Sequence, residues 1–372
     1  MSDDKPNYSK RRFFNIIAFT AFFSFLAKFV LSYFVSSIAS ANAASSNKTL
    51  TLNNQPMKNN AHSSPTTNTI TLIGTARKIS KKDVNFLCSF IKDNFYIDCF
   101  APNRLINTDE PMFINDDLTR ALVTIEAIND SSSKFIWNVN GGYGAYRIMP
   151  HLFKHVRRNT NKIIIGYSDA TSIHAMLSND KFAMPSIHWE NAFNIKQKIE
   201  LKTLNKDAVK IFTDIISGTI KVLSYTGLKP LNIAAYNNNV VYGKVTGGNM
   251  AIIQSAIATL WAVDCKDKIL FLEDVGESFY KIDRMLQSFV YKSMFNNAKA
   301  VIIGELINTK SGYPVDYIDI VLDDFAKLLP IPVYRISNIG HECDNYPLVF
   351  MKDAEIKGGE DAKISIDLSG LV

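Results

Sequence analysis

From Ile70 to the C-terminus, short β-branched runs alternate with stretches in which apolar residues recur at helical spacing. That alternation dictates a parallel sheet covered by helices on both faces, because parallel strands are joined only by long crossovers, usually helical. Residues 69–74, 134–139 and 162–165 read as strands, and 82–92, 118–128, 151–158 and the stretch beginning at Ala170 read as helices. The alternation lapses over 191–238, which reads as an interdomain linker. It resumes with strands at 242–245, 268–272, 300–303 and 333–336, separated by helices at 250–260, 282–295 and 317–329. Two α/β domains are expected, one over 70–190 and a smaller one over 239–372. At 372 residues and 47% apolar composition, the chain has enough to bury both cores.

The N-terminus stands apart from this pattern. Lys10-Arg11-Arg12 precedes an apolar run from Phe13 to Ile38, broken by Lys28, and Ala41-x-Ala43 then supplies the small residues of a signal-peptidase site. Uncut, the same run is long enough to anchor the chain in a bilayer. Residues 1–44 are therefore expected to be a signal peptide or membrane anchor. Residues 45–69, rich in Asn, Ser and Thr with Pro56 and Pro65, read as a flexible tether. The folded part is then expected to be exported across, or held at, a membrane. The net charge of +6 is modest and partly N-terminal, so nothing calls for a nucleic-acid partner. Cys88, Cys99, Cys265 and Cys343 are scattered without the clustering of a zinc site, and read as core thiols.

Four chemistry-bearing groups fall just past the carboxyl ends of expected strands: Gly141-Gly142, Ser168, Glu273 and His341. That is where ligands bind in open parallel sheets. Ser168 lies in Gly166-Tyr167-Ser168-Asp169-Ala170, where a strand turns into a helix with nearly the spacing of a nucleophile elbow. Each group has a plainer reading. Ser168 or Asp169 suits an N-cap, the glycine pair a tight turn, Glu273 a solvated loop, and His341 a loop histidine held by Glu342 or Asp344. Together, however, they fill every role of acyl transfer: Ser168 as nucleophile, His341 as base, Glu273 as its orienter, and backbone N–H groups beside the glycine pair. His151 and His155 share a helix face but lack the carboxylate of a His-Glu-x-x-His site, and Asp274 and Glu277 lack the rhythm of a calcium loop. No metal or other cofactor is expected.

The blocks Gly141-Gly142-Tyr143-Gly144-Ala145-Tyr146-Arg147, Gly166-Tyr167-Ser168-Asp169-Ala170-Thr171, Gly247-Gly248-Asn249-Met250, Leu272-Glu273-Asp274-Val275-Gly276-Glu277 and Gly340-His341-Glu342, in this order and at these separations, resemble the LD-carboxypeptidase family. Its members are serine peptidases that trim murein tetrapeptides, and they include the microcin C self-immunity hydrolases. The resemblance implies a flavodoxin-like N-terminal domain, a smaller α/β C-terminal domain, often a homodimer, and a triad at Ser168, Glu273 and His341. It also implies an oxyanion hole at the N–H groups of Gly142 and Asp169. A terminal carboxylate needs a cationic partner, for which Arg284 or Arg147 is expected. Three departures stand out. Asn140 replaces an arginine common before the glycine pair, a usual Gly-Pro is missing around Ile187-His188-Trp189, and family members are commonly cytoplasmic, whereas the expected export signal or anchor here implies the periplasm or the inner membrane of a bacterium rather than the cytoplasm. The implied activity is release of D-alanine from murein tetrapeptides at an L,D amide. The alternatives are a peptidyl-nucleotide hydrolase and a membrane-tethered protein that binds wall peptides without cutting them.

Overall fold

The computed structural model describes residues 66–372 except 108, 131, 204, 238, 311, 342 and 343. The expected signal or anchor, and the expected tether as far as residue 65, lie outside the described residues, as do Glu342 and Cys343. Among the described residues no helix is long and apolar enough to cross a membrane.

The first sheet contains β1 (Thr66–Ile73), β2 (Asp98–Phe100), β3 (Ser133–Asn138), β4 (Ile163–Gly166) and β5 (Ser186–His188). All five are parallel, in the order β2-β1-β3-β4-β5. This is the flavodoxin-like order, and the direction of winding reverses between β1 and β3. β3 and β4 are buried along their whole length, because helices cover both faces of the sheet. Those helices are α1 (Lys81–Phe95), α2 (Asp117–Asp130), α3 (Ala145–His155) and α4 (Thr171–Ser178). Their origin is local. The α1 helix starts where Ser80 Oγ accepts from Asp83 N, buries Val84, Leu87, Ile91 and Phe95 on one stripe, and stops at Tyr96 in the left-handed region.

The stretch 191–238 is not a linker. It forms α5 (Ala192–Glu200), α6 (Lys206–Ile216), β6 (Val222–Pro230) and the single turn α7 (Ile233–Tyr236). The Phe212 ring stacks on Trp189 with centroids 4.1 Å apart, so α6 closes the first core. The β6 strand hides in sequence because Gly227 and Pro230 interrupt it and its alternation of buried and exposed residues is irregular.

Beyond it come β7 (Val240–Asn249), β8 (Lys268–Val275), β9 (Ala300–Ile307), β10 (Val333–Arg335), β11 (Leu348–Phe350), β12 (Asp353–Lys357) and β13 (Ala362–Asp367). Helices α8 (Met250–Ala256), α9 (Phe279–Tyr291) and α10 (Ile318–Leu328) connect β7 through β10, which are parallel. The antiparallel strands β6, β12 and β13 complete a closed barrel in the order β10-β6-β13-β12-β7-β8-β9. Closure leaves no unpaired edge. The expected smaller α/β domain is thus a barrel that begins at β6, upstream of 239. It also lends a strand to its neighbour, since β11 pairs antiparallel with β5, Leu348 opposite His188.

Contact between the two sheets is close at the end of β7. Asn249 N donates to Thr171 Oγ1 at 3.0 Å. Gly248 has φ +129°, and a Cβ there would stand 2.5 Å from Thr171 Oγ1, so a glycine is needed for α4 to approach.

Candidate active site

The apolar run of β4 ends at Gly166, and Ser168 follows with φ +59°, a left-handed conformation that only a few per cent of non-glycine residues adopt. This corner lifts Ser168 out of the sheet and leaves it partly exposed, opening a 3-10 turn from Ser168 to Ala170 that leads into α4. Neither Ser168 nor Asp169 caps that helix through its side chain. Asp169 instead reaches across to α3, where Ala145 N donates to its Oδ2 at 2.8 Å. Burial pushes the Asp169 carboxyl up to about 6, opposed by the Ala145 N–H and the Arg120 charge. The carboxylate therefore fastens the glycine loop to the serine corner.

That loop turns through Gly142 (φ +106°) and Gly144 (φ +142°), and a Cβ on Gly141 would lie 3.7 Å from Ser168 Oγ. Among the described residues, the N–H groups of Gly142 and Asp169 donate to no protein carbonyl. Two free donors flanking a corner hydroxyl are what a developing oxyanion requires.

The barrel supplies the other half. Glu273 sits at the end of β8 and is fully buried, and its Oε2 lies 2.6 Å from His341 Nδ1. The His341 side chain is 11% exposed. Burial alone pulls its imidazolium down, but the Glu273 carboxylate, helped by Glu190 and Asp274, outweighs it and leaves the net shift upward. Glu273 thereby holds the proton on Nδ1 and leaves Nε2 as the basic nitrogen. The Tyr167 ring lies 4.6 Å from the His341 ring, so the residue preceding the serine also packs on that imidazole. Among the described residues no hydrogen bond joins Ser168 Oγ to His341. Such bonds are often long before substrate arrives.

Asn345 secures the His341 loop to the first sheet. It accepts from Gly340 N at 2.9 Å through Oδ1, donates to Glu190 Oε1 at 3.0 Å, and its carbonyl accepts from Trp189 Nε1 at 2.8 Å. Glu190 is itself buried and paired with Lys198 at 2.8 Å.

Other residues singled out by sequence take different places. Asp274 turns away from Glu273 to bind Asn249 Nδ2 (3.2 Å) and Ala251 N (2.9 Å) at the start of α8, and burial followed by the Glu273 charge pushes its carboxyl up to about 6. Arg147 is engaged by Asp117 at 2.6 Å. Arg284 is exposed over the Tyr280 ring, 5.8 Å from its centroid, and touches none of Ser168, Glu273 or His341 among the described residues. His174 is buried between Ser186 Oγ and the Gly166 carbonyl, at 2.8 Å each. Among the described residues no group of three His, Cys, Asp or Glu side chains is placed to hold a metal ion.

Sequence reasoning missed Tyr167, Glu190 and Asn345. Glu190 was findable, since it follows β5 at the same carboxyl edge as the other groups. Tyr167 sat inside a motif read only for its serine. Asn345 acts through a loop with no periodic signal.

Residues 70–188 match the model of the LD-carboxypeptidase N-terminal domain, and residues 242–356 match that of the LD-carboxypeptidase C-terminal domain. A Rickettsia conorii protein named only by class, as a carboxypeptidase, is 32% identical over 298 residues, covering 79% of this chain and 90% of that one. The solved muramoyltetrapeptide carboxypeptidase of Oxalobacter formigenes has the same fold, with a TM-score of 0.67 at 21% identity over 80% of this chain and 98% of that one. The microcin C7 self-immunity protein is also similar in fold, with a TM-score of 0.64 at 18% identity over 81% and 96% of the two chains. With both family models matched across the two sheets that meet at this site, the chain belongs to the LD-carboxypeptidase family of peptidases.

Proposed function

We propose that this protein is a serine carboxypeptidase that releases the terminal D-alanine of murein tetrapeptides by cutting an L,D amide. The observation that carries the reading is the buried Glu273–His341 pair, 2.6 Å apart, at the corner where Ser168 stands in a left-handed conformation. Ser168 Oγ attacks the carbonyl carbon while its proton passes to His341 Nε2. The oxyanion accepts hydrogen bonds from the N–H groups of Gly142 and Asp169. Collapse breaks the C–N bond as His341 returns the proton to the departing D-alanine amine. Water, deprotonated by the same imidazole, then attacks the acyl-serine ester and frees Ser168. Glu273 keeps its charge throughout and stabilises the imidazolium.

The N-terminal segment, read as a signal or anchor, supports a reading in which this activity acts on the periplasmic side, on wall peptides with a free D-alanine end. The test is mass spectrometry of murein tetrapeptides before and after exposure to the protein, with a peptidyl adenylate as a second substrate. Loss of one alanine residue from the tetrapeptide, absent with Ser168→Ala, is expected. Turnover of the adenylate alone supports the nucleotide branch, and binding without turnover overturns the enzyme reading.

A further inference from the structure

Three arginines surround the glycine loop, and two are held by the protein itself. Arg120 is buried, donates to the carbonyls of Asn115 (3.1 Å) and Gly144 (3.0 Å), and binds Asp117 at 2.5 Å. Arg147 shares that same Asp117. Arg77 differs. Among the described residues it has no carboxylate partner, its side chain is exposed, and its one side-chain hydrogen bond runs from Nε to Asn140 Oδ1 at 3.2 Å.

The stem of Arg77 is nonetheless fixed. Its backbone forms a bridge with Phe113, flanked by Ile114 N donating to Ala76 O and Lys78 N donating to Met112 O, both at 3.1 Å. The side chain runs over the oxyanion loop, so that a Cβ on Gly142 would stand 3.2 Å from Arg77 Cδ. Arg77 follows β1 and Asn140 follows β3, so their bond spans the crevice where the strand order reverses, the ligand position of such sheets.

A guanidinium whose Nε is tied down, on an exposed side chain that runs beside the oxyanion donors, is a preorganised fork for a planar anion. The geometry points to Arg77 as the residue that binds the free terminal carboxylate of the substrate. This inference rests on the carboxypeptidase reading and names the group that makes the enzyme act only at a chain end. It also gives Asn140 a purpose: the amide aims the guanidinium instead of supplying a charge of its own. A site built around that charge rejects a substrate lacking it, because the cation is then left unpaired.

The experiment compares kcat/KM for a tetrapeptide ending in free D-alanine with that for its C-terminal carboxamide, using the full chain, Arg77→Ala and Arg77→Lys. The native protein should prefer the acid. Arg77→Ala should lower kcat/KM for the acid by about 50-fold, mainly through KM, as expected for losing a charged hydrogen-bonded pair. Its effect on the amide should be small, and Arg77→Lys should restore part of the preference. Equal losses on acid and amide would mean that Arg77 only shapes the loop, and an unchanged acid preference in Arg77→Ala would mean that it does not bind the carboxylate; either overturns the assignment while leaving the enzyme reading intact. No D-alanine release by the native protein overturns both.

Discussion

In the first sheet the site is made from backbone, and in the barrel it is made from burial. Ser168 (φ +59°), Gly142 (φ +106°) and Gly144 (φ +142°) are all in the left-handed half of conformational space, strained for the serine and freely available to the glycines, and that geometry is what exposes one hydroxyl and two N–H donors. Glu273 and His341 need no unusual torsion. Their chemistry comes from a fully buried carboxylate holding a nearly buried imidazole at 2.6 Å, where the attraction between them exceeds the cost of burial for His341. One half of the proposed catalytic unit is therefore sensitive to shape and the other to charge. Each half depends on the other through Thr171–Asn249 and the Asn345 contacts that dock the two sheets.

The comparison can be broken by substitutions that touch one half at a time. Ser168→Ala removes the nucleophile, and kcat for D-alanine release should fall on the order of 10⁶-fold with the fold intact by circular dichroism. Glu273→Gln leaves the shape of the corner unchanged and should cost on the order of 10⁴-fold in kcat, since the imidazole loses its orienting charge. Its pH profile carries the sign. His341 must be neutral to act, so activity rises with pH through a pKa that Glu273 holds above the ordinary histidine value. Without that charge burial prevails, and the acid limb should move to lower pH. Gly142→Ala forces a Cβ into the φ +106° conformation beside Arg77, and should reduce kcat by roughly tenfold, from about 1–3 kcal/mol of backbone strain, with no shift of the acid limb. A shifted limb in Gly142→Ala, or an unshifted one in Glu273→Gln, would erase the distinction between the halves.

Much of the first half was legible in sequence because its signals are local. Parallel strands buried on both faces read as near-continuous apolar runs, and a glycine followed by a serine at a strand end announces the corner. The barrel was only half legible. Its βα units are regular, but β6 alternates irregularly, and β12 and β13, which alternate cleanly and pair with each other, find their outer partners β7 and β6 far away in sequence. The wholly nonlocal exchange of β11 into the first sheet has no signature in a single chain. For the site, Ser168, Glu273 and His341 are singled out in sequence by their positions past strand ends. Asn345 and Arg77 are not, because what they do depends on which loops meet, and no spacing encodes that. The N-cap reading of Ser168 and Asp169 failed for a related reason: the nearest helix start was not the one Asp169 binds.

The central claim is that Ser168 from the sheet and His341 from the barrel act as one nucleophilic unit. Its most direct test is peptide-level mass spectrometry after treatment with a fluorophosphonate, a reagent that reacts with activated serines. The account predicts a single covalent adduct on Ser168 in the native protein and its near-complete loss in His341→Ala. An adduct on another serine, or undiminished labelling of Ser168 in His341→Ala, would contradict it.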